Sequence, residues 1–570
     1  CETVLSAGLA LIGGIGLGIG IERVLYALLS MMAQGTLPLG VYIGIGSIRS
    51  TCLLFVVIFM LIFLNSIRQI HLADPIELLH GSSVGEREPK TKWLMTLLGF
   101  LTLGAGYGIA VTVKNPLDAF LLFFLAVVLV IIGTYLLFTS GSITLLKLMK
   151  KNKRFYYRTS PFINVSTMIY RMKQNAASLS LICIMSTGVL LLISSTTSLY
   201  VGQEHSLYMH YPKKFRISLS LGTELDDSAQ FEKELKEIGT YAENYLKDNK
   251  IDVKNEESQT VIDVAALQKD GNVQITSSRI YDSEDFENLC MLQAVTLEDY
   301  NRETKKNETL KDGEALVFLE DVPLQQDTFS VNNMKWKVKH LPEDTRMGDT
   351  GLEFYANPVY RIVVKDFAQL QELWKINKEV YRENASRVKY EYSFDVDLPE
   401  EKIQKLTSSL HAYFGEQKDA PHAFVYGIEN RTEGRAEFYS LYGGLFFLGI
   451  FLGLLFVMAT VLIIYYKQIS EGYEDKERFA ILKKIGMERG EINASIHSQV
   501  LMVFFLPLVL AGIHSCFAFH LVKEILMGGF GLWDVKLLVL SAVLTFLAFA
   551  VFYVIVYLLT AREYYKIVSE

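Results

Sequence analysis

Apolar and polar positions in this chain fall into long blocks, and the apolar blocks are of bilayer length. Eight uncharged or nearly uncharged runs are long enough to span as helices. Their approximate cores are Val4–Leu29, Thr51–Asn65, Trp93–Val113, Ala119–Thr139, Ala177–Tyr200, Tyr439–Tyr466, Val500–Val522 and Leu537–Ala561. Thr51–Asn65 is the shortest, and its apolar character extends back to Ile43. Between the fifth and sixth runs lie about 230 largely polar residues, Gln203 to Glu437. There the period changes. Alternation predicts strands at Phe215–Leu219, Glu314–Phe318, Trp336–Lys339 and Tyr360–Val364. Helical spacing covers Asp226–Lys247, Phe367–Asn384 and Pro399–Phe414. The predicted fold class is an α-helical integral membrane protein with a large mixed α/β domain.

Lys and Arg orient the spans. Loop 147–173 carries Lys147, Lys150, Lys151, Lys153, Arg154, Arg158, Arg171 and Lys173; loop 467–491 carries Lys467, Lys476, Arg478, Lys483, Lys484 and Arg489. Loop 66–92 is also basic, whereas Ala33–Ser47 is nearly uncharged and Lys114–Asp118 is very short. The excess of cations on cytoplasmic loops then puts residue 1, loops 66–92, 147–176 and 467–497, and the C-terminus in the cytoplasm. The large domain is expected outside.

Composition adds two constraints. Of 570 residues, 51% are apolar, and the net charge is −7. Residues 201–436 hold 44 acidic and 30 basic side chains, so the negative charge is concentrated in the polar domain. Such a surface attracts cationic partners over about a Debye length, or serves solubility alone. Of five cysteines, only Cys290 lies in that domain, which therefore has no internal disulfide and must fold on its own core.

The last two spans resemble the first two in layout. A Gly/Ala-rich span ends in a charged pair, Glu22-Arg23 and Lys523-Glu524; a charge-free span and a short basic tail follow. The chain starts Cys1-Glu2-Thr3 and enters a span almost at once. With the repeat, this reads as a truncation of a ten-helix protein.

Candidate chemistry is sparse. Gly14, Gly16, Gly18 and Gly20 lie inside an apolar span, with no preceding strand and no following Lys-Ser/Thr, so helix packing is favoured over a phosphate loop. Gly14 with Gly18, and Gly449 with Gly453, instead make small-xxx-small pairs suited to close helix packing. No Walker A sequence occurs, so any ATP must be bound elsewhere. The ten histidines form no metal pattern: His205 and His210 lack a third ligand, and His514 and His520 suit helix-to-helix hydrogen bonds. No nucleophile–base arrangement stands out, and nothing points to nucleic acid. Lys213, Lys214 and Arg216 are either contacts to lipid phosphate or ordinary interface anchors. Arg23 and Lys523, at matched depth in the two repeats, either face a pyrophosphate-bearing lipid or snorkel to the interface.

The cytoplasmic loop after the sixth span is more specific. Glu474 to Ile485 reads as a short amphipathic helix with Phe479, Leu482 and Ile485 on one side. Acidic residues begin it, Lys483 and Lys484 end it in keeping with the helix dipole, and Gly486 stops it. It either lies on lipid or docks as a coupling helix in a cytosolic motor subunit.

The run from Tyr466 through Ala480-Ile-Leu-Lys-Lys-Ile-Gly486-Met487 resembles the signature of FtsX-like ABC permeases of the bacitracin-resistance (Bce) type. Ser166-Thr-Met-Ile-Tyr-Arg-Met-Lys-Gln-Asn-Ala176 and Leu506-Pro507-Leu-Val with His514 resemble two further segments of that family. The resemblance implies a division into 1–67 (later part of a first FtsX-like repeat), 68–92 (cytoplasmic loop), 93–140 (central helix pair) and 141–176 (basic cytoplasmic connector). It continues with 177–202 (a span opening the second repeat), 203–437 (extracellular domain), 438–466 (a span), 467–497 (coupling loop), 498–561 (two spans) and 562–570 (cytoplasmic tail).

The resemblance also implies a multi-pass permease in a Gram-positive cell membrane, without a nucleotide-binding domain. ATP and Mg²⁺ belong to two partner ABC ATPase subunits. Their motion frees a lipid-linked wall precursor from an antimicrobial peptide and signals to a membrane histidine kinase. The coupling residues implied are Glu474, Phe479, Leu482, Lys483, Lys484, Ile485 and Gly486. An alternative from another class is a non-transporting FtsX-like module that controls a kinase or a wall hydrolase. A four-helix lipoprotein or macrolide exporter fits less well, because five spans precede the domain and three follow it.

Overall fold

The computed structural model describes residues 2–32, 44–72, 91–113, 116–157, 159–222, 225–276, 288–320, 322–342, 345, 358–416, 424–484, 489–532 and 534–569. Eight helices among them are long and apolar enough to cross a membrane. Before the polar domain run α1 (Glu2–Met32), α2 (Ile45–Leu72), α3 (Trp93–Thr112), α4 (Pro116–Leu136), α5 (Ser142–Lys151), α6 (Lys153–Tyr156) and α7 (Thr159–His210). A π-turn, Leu137–Gly141, joins α4 to α5 without a break. It is pinned where Ser140 Oγ donates to the Lys92 carbonyl at 2.9 Å and Thr96 Oγ1 meets Ser140 Oγ at 3.1 Å.

The polar domain is one mixed sheet with three helices over its main core and a short fourth helix beside a smaller core on the other face. Its strands are β1 (Phe215–Leu221), β2 (Val253–Lys269), β3 (Asn272–Gln274), β4 (Leu289–Thr296), β5 (Glu314–Leu319) and β6 (Val322–Pro323). They continue with β7 (Thr328–Val331), β8 (Met334–Val338), β9 (Val359–Val364), β10 (Lys389–Val396) and β11 (Phe424–Asn430). The 17-residue β2 pairs with β10 along its first part and with β4 and then β3 further on. Pairings β4–β9, β9–β5, β5–β8, β8–β7 and β7–β3 close that half into a ring. The other half is a plain antiparallel ribbon, β11-β1-β10-β2.

Period-two burial lets one face of the sheet carry the main core, which includes Phe215, Ile217, Leu219, Tyr392 and Phe394. Covering it are α8 (Ser228–Asp248), α10 (Phe367–Tyr381) and α11 (Glu400–Glu416), with Leu235, Leu370, Leu373 and Leu410 fully buried. Asp227 and Asp366 cap α8 and α10 by accepting from backbone N–H groups. The short α9 (Leu297–Thr304) lies with a smaller core of Val261, Val295, Tyr300, Leu316, Phe318 and Val363.

After the domain run α12 (Arg431–Lys484), α13 (Arg489–Phe530) and α14 (Val535–Ser569). Three expectations change here. The fifth span is the middle of a 52-residue helix, and residues 159–176 of the expected connector 141–176 form its first turns, with Met168, Ile169 and Met172 fully buried. Likewise Glu474–Lys484 is not a separate amphipathic helix but the end of the 54-residue α12. Gly14 and Gly18 do not sit at a close helix contact: an added Cβ on either meets nothing within 4 Å. They line an apolar gap of about 920 Å³ between α1, α2 and Phe447 and Phe451 of α12. The expected helix packing at these two glycines is therefore not found among the described residues, because spacing permits close approach without supplying a partner.

Candidate functional site

The length of α7 and α12 follows from apolar spans that pass directly into turns rich in Glu, Lys, Gln and Arg, which are good helix formers, so that the junction glycines Gly202, Gly434 and Gly472 do not break the helices. At 1.5 Å rise per residue each is about 80 Å long. They lie side by side over much of that length. Gly449 faces Thr196, Gly453 faces Ile193 and Gly188 faces Phe456; at Gly449 an added Cβ would stand 2.2 Å from Thr196 Oγ1. Tyr200 stacks on Phe446 with ring centroids 4.5 Å apart.

The helices meet the sheet domain without a linker. Only four residues separate His210 of α7 from Phe215 of β1, and Arg431 follows Asn430 of β11 directly. The neck so formed is cross-pinned. Arg431 N donates to the Lys214 carbonyl at 2.9 Å, its Nε donates to the Tyr211 carbonyl at 2.8 Å, and its Nη2 donates to the Pro212 carbonyl. The same guanidinium lies 4.4 Å from the centre of the Tyr208 ring. Glu204 accepts from Tyr439 Oη at 2.7 Å and from Arg435 Nη2 at 3.1 Å. Asn430 Oδ1 caps α12 by accepting from Glu433 N at 2.8 Å, while its Nδ2 reaches Thr407 Oγ1 of α11 at 3.1 Å. The turn between α13 and α14 joins in, since Ser206 Oγ donates to the Gly531 carbonyl and Tyr442 Oη to the Phe530 carbonyl. These contacts tie both helix ends to the sheet domain.

At the far end of the same pair, α7, α12 and α14 converge on a buried polar cluster. Arg171 of α7 forms ion pairs with Asp475 and, at 3.3 Å, with Glu471 of α12. Its Nη2 also reaches Tyr564 Oη of α14 at 3.2 Å, and that hydroxyl lies 2.5 Å from Asp475 Oδ2. Asn175 Nδ2 donates to Glu471 Oε1. From the sequence, Arg171 reads only as one of eight loop cations. The available signal was spacing: Arg171 and Asn175, like Glu471 and Asp475, are four apart and share a helix face.

The remaining candidates lie as follows. Glu474 is exposed, and Phe479, Leu482, Lys483 and Lys484 are on the backbone of α12; Ile485 and Gly486 lie outside the described residues. The neck cations are turned onto their own domain: Lys213 pairs with Glu257 at 2.7 Å, Lys214 Nζ donates to the Val396 carbonyl at 2.7 Å, and Arg216 lies 3.6 Å from Glu429. Register explains this, because Arg216 stands directly opposite Glu429 across β1–β11. Arg23 is exposed on α1, which packs on α2 and α12, whereas Lys523 is on α13 and pairs with Glu524 at 2.9 Å. The two are not brought together. His514 joins three helices, with Nδ1 2.5 Å from Tyr107 Oη and Nε2 3.1 Å from Thr134 Oγ1; His520 Nε2 is 2.9 Å from the Val113 carbonyl.

Comparison with known proteins bears on this arrangement. Residues 446–568 match the family of the FtsX-like permease C-terminal domain. That stretch holds most of α12 and all of α13, and it contains Glu471, Asp475 and Tyr564. The chain is 26% identical over 459 residues to the ABC transporter permease protein YxdM of Bacillus subtilis (strain 168), covering 78% of this chain and 64% of that protein. It thus spans less than two thirds of that relative's length. It is 23% identical over 579 residues to the uncharacterized ABC transporter permease YvcS of the same strain, covering 98% and 82%. It is 24% identical over 534 residues to the bacitracin export permease protein BceB of Halalkalibacterium halodurans, covering 89% and 75%.

Proposed function

We propose that this chain, which carries an FtsX-like permease domain and is homologous to Bacillus ABC transporter permeases, is the membrane lever of a transporter powered by separate ATPase subunits. The observation that carries the reading is the linker-free passage of α7 and α12 into the sheet domain, with Arg431 pinning both helix ends to β1. A domain hung on flexible linkers could bind but could not be driven. Here, a displacement at the end of α12, in the segment Glu474–Lys484 with Ile485 and Gly486, is delivered to the domain through packed helices.

The load is read from charge and kinship. The basic loops favour a cytoplasmic coupling segment and an extracellular sheet domain. That domain is acidic, which suits a cationic peptide. A relative named for bacitracin export supports a role in freeing lipid-linked wall precursors from such peptides. The described spans are largely apolar on their outer faces, and their few polar contacts, such as that of His514, join helix to helix. This favours a lever over a polar solute channel. ATP and Mg²⁺ belong to the partner subunits, and a membrane histidine kinase is a further partner if the same motion is sensed.

Deletion of the gene is expected to lower the minimal inhibitory concentration of bacitracin or of another wall-precursor-binding peptide at least fourfold. Replacing the P-loop lysine of the associated ATPase should have the same effect. Unchanged susceptibility to every such peptide, with altered kinase signalling, would favour a regulatory module instead.

A further inference from the structure

The cluster at the far end of α7 and α12 has a chemistry that packing alone does not require. Arg171, Asn175, Glu471, Asp475 and Tyr564 are 2%, 1%, 7%, 3% and 1% exposed. Around them the three helices are joined by apolar contacts, among them Met168, Met172, Ile464 and Ala561. Continuing that apolar layer through these positions would hold the helices at least as well, because a buried ion pair regains little more than its desolvation cost. Ionic contacts differ from apolar ones in range and direction. They are strong when closed and dry, and weak once parted and wetted.

The network is also incomplete. Asn175 Oδ1 and, one turn along α12, Gln468 Oε1 are buried and have no hydrogen-bond partner among the described residues. A network that leaves acceptors unsatisfied when closed loses less on opening, where water can reach them. The rest of the α7–α12 seam is unlike this. The neck is pinned by Arg431 and Glu204, and the glycine contacts at 188, 449 and 453 interlock the helices, so neither can slide along the other. The seam thus differs in kind along its length: interlocked and pinned towards the neck, ionic at the other end.

We propose that Arg171, Asn175, Glu471, Asp475 and Tyr564 are a releasable fastener between α7, α12 and α14. Closed, it makes the three helix ends one body; it parts when the segment beyond Lys476 is pulled. The second clause rests on the lever reading above, whereas the first does not. Arg171 is the central member because it touches both carboxylates and the tyrosine hydroxyl. Tyr564 ties in α14.

The full chain in nanodiscs, without any ATPase, tests the fastener. Spin labels at the exposed positions 173 on α7 and 473 on α12 report the separation of the two helix ends. A single narrow distance distribution is expected for the wild type. Arg171→Met should broaden it and lengthen its mean by about 5 Å. Tyr564→Phe, which removes one oxygen and keeps the ring, should broaden it less, so the comparison survives if the arginine variant does not fold. Exchanging the charges, Arg171→Asp with Asp475→Arg, should restore the narrow distribution. Distances that stay at the wild-type value in both single variants overturn the proposal, as does an exchange variant no narrower than Arg171→Met. Adding the associated ATPase with ATP and vanadate separates the two readings. A wild type that then takes the Arg171→Met distances supports release under load. A wild type that does not move, beside variants that do, sinks the lever and leaves the fastener.

Discussion

Lys389 shows what it takes to keep a lone charge on the face of this sheet. Its Nζ lies 2.8 Å from Asp263 and 2.7 Å from Glu391, and Gln259 and Gln293 hold those carboxylates from the other side. Burial by itself disfavours the ammonium, but Glu391 and Asp263 outweigh it and hold its pKa above the ordinary lysine range. The sign follows. A folded-state pKa above the unfolded one gives stability that is fully present below about pH 10.4 and is lost as the pH rises through the folded value. Lys389→Met, leaving two carboxylates facing one another without their cation, should cost about 3 kcal/mol at pH 7. The difference between variant and wild type should be flat from about pH 7 to 9 and shrink only above about pH 10.4. Denaturant titrations of the full chain, followed by the fluorescence of the buried Trp336 and Trp374, measure this. A difference that shrinks below pH 9 would show that the ion pair is not its source.

At the scale of elements, the pattern of apolar residues was a good guide to where helices are and a poor one to where they stop. Strand expectations at Phe215–Leu219 and Tyr360–Val364 fall inside β1 and β9: β1 alternates buried with half-buried positions over its first part, while β9 is buried on both faces and is legible from its β-branched, apolar composition. The ends of α7 and α12 were not legible. Hydropathy drops at Gly202 and Tyr466, but Glu, Lys, Gln and Arg continue a helix as readily as Leu does, so the backbone runs on to His210 and Lys484. The cluster around Arg171 was hidden for the same reason: counted as loop, its charges were given to solvent. Glycine pairs expose another limit, since spacing states which residues permit close approach and not which find a partner. Gly449→Val should cost about 2 kcal/mol, because its side chain would have to displace Thr196, whose hydroxyl is tied to the Leu192 carbonyl at 2.7 Å. Gly14→Ala should not destabilise, and should gain up to about 1 kcal/mol from helix propensity, because an added Cβ meets nothing within 4 Å among the described residues. Thermal unfolding in detergent compares them directly. Equal effects from the two substitutions would contradict the α7–α12 seam as described.

For the whole molecule, the proposed lever rests on stiffness between the end of α12 and the sheet. Every joint on that route is short: no residue lies between β11 and α12, and the Asn430 side chain binds both the first turn of α12 and Thr407 of α11. A lever fails if one joint is made slack, whereas a domain that merely binds a ligand is indifferent to slack in its tether. Inserting Gly-Ser-Gly between Asn430 and Arg431 discriminates between these cases. Three flexible residues add a root-mean-square reach of about 10 Å, more than enough to absorb a helix displacement of about 1–5 Å. The domain keeps its own core in this variant, because all of its strands and covering helices lie between Phe215 and Asn430. Hydrogen exchange within β1, β10 and β9 should therefore match that of the wild type. Under the proposed function, ATP hydrolysis by the partner subunit should persist, while peptide protection falls to the level of the deletion strain. Rigid three-residue slack is the necessary control: inserting Ala-Ala-Ala lengthens α12 without loosening it, and should retain more protection than Gly-Ser-Gly even though it turns the helix by nearly a full revolution. Full protection with the flexible insert would mean that the domain acts by binding alone, and that α7 and α12 carry no load.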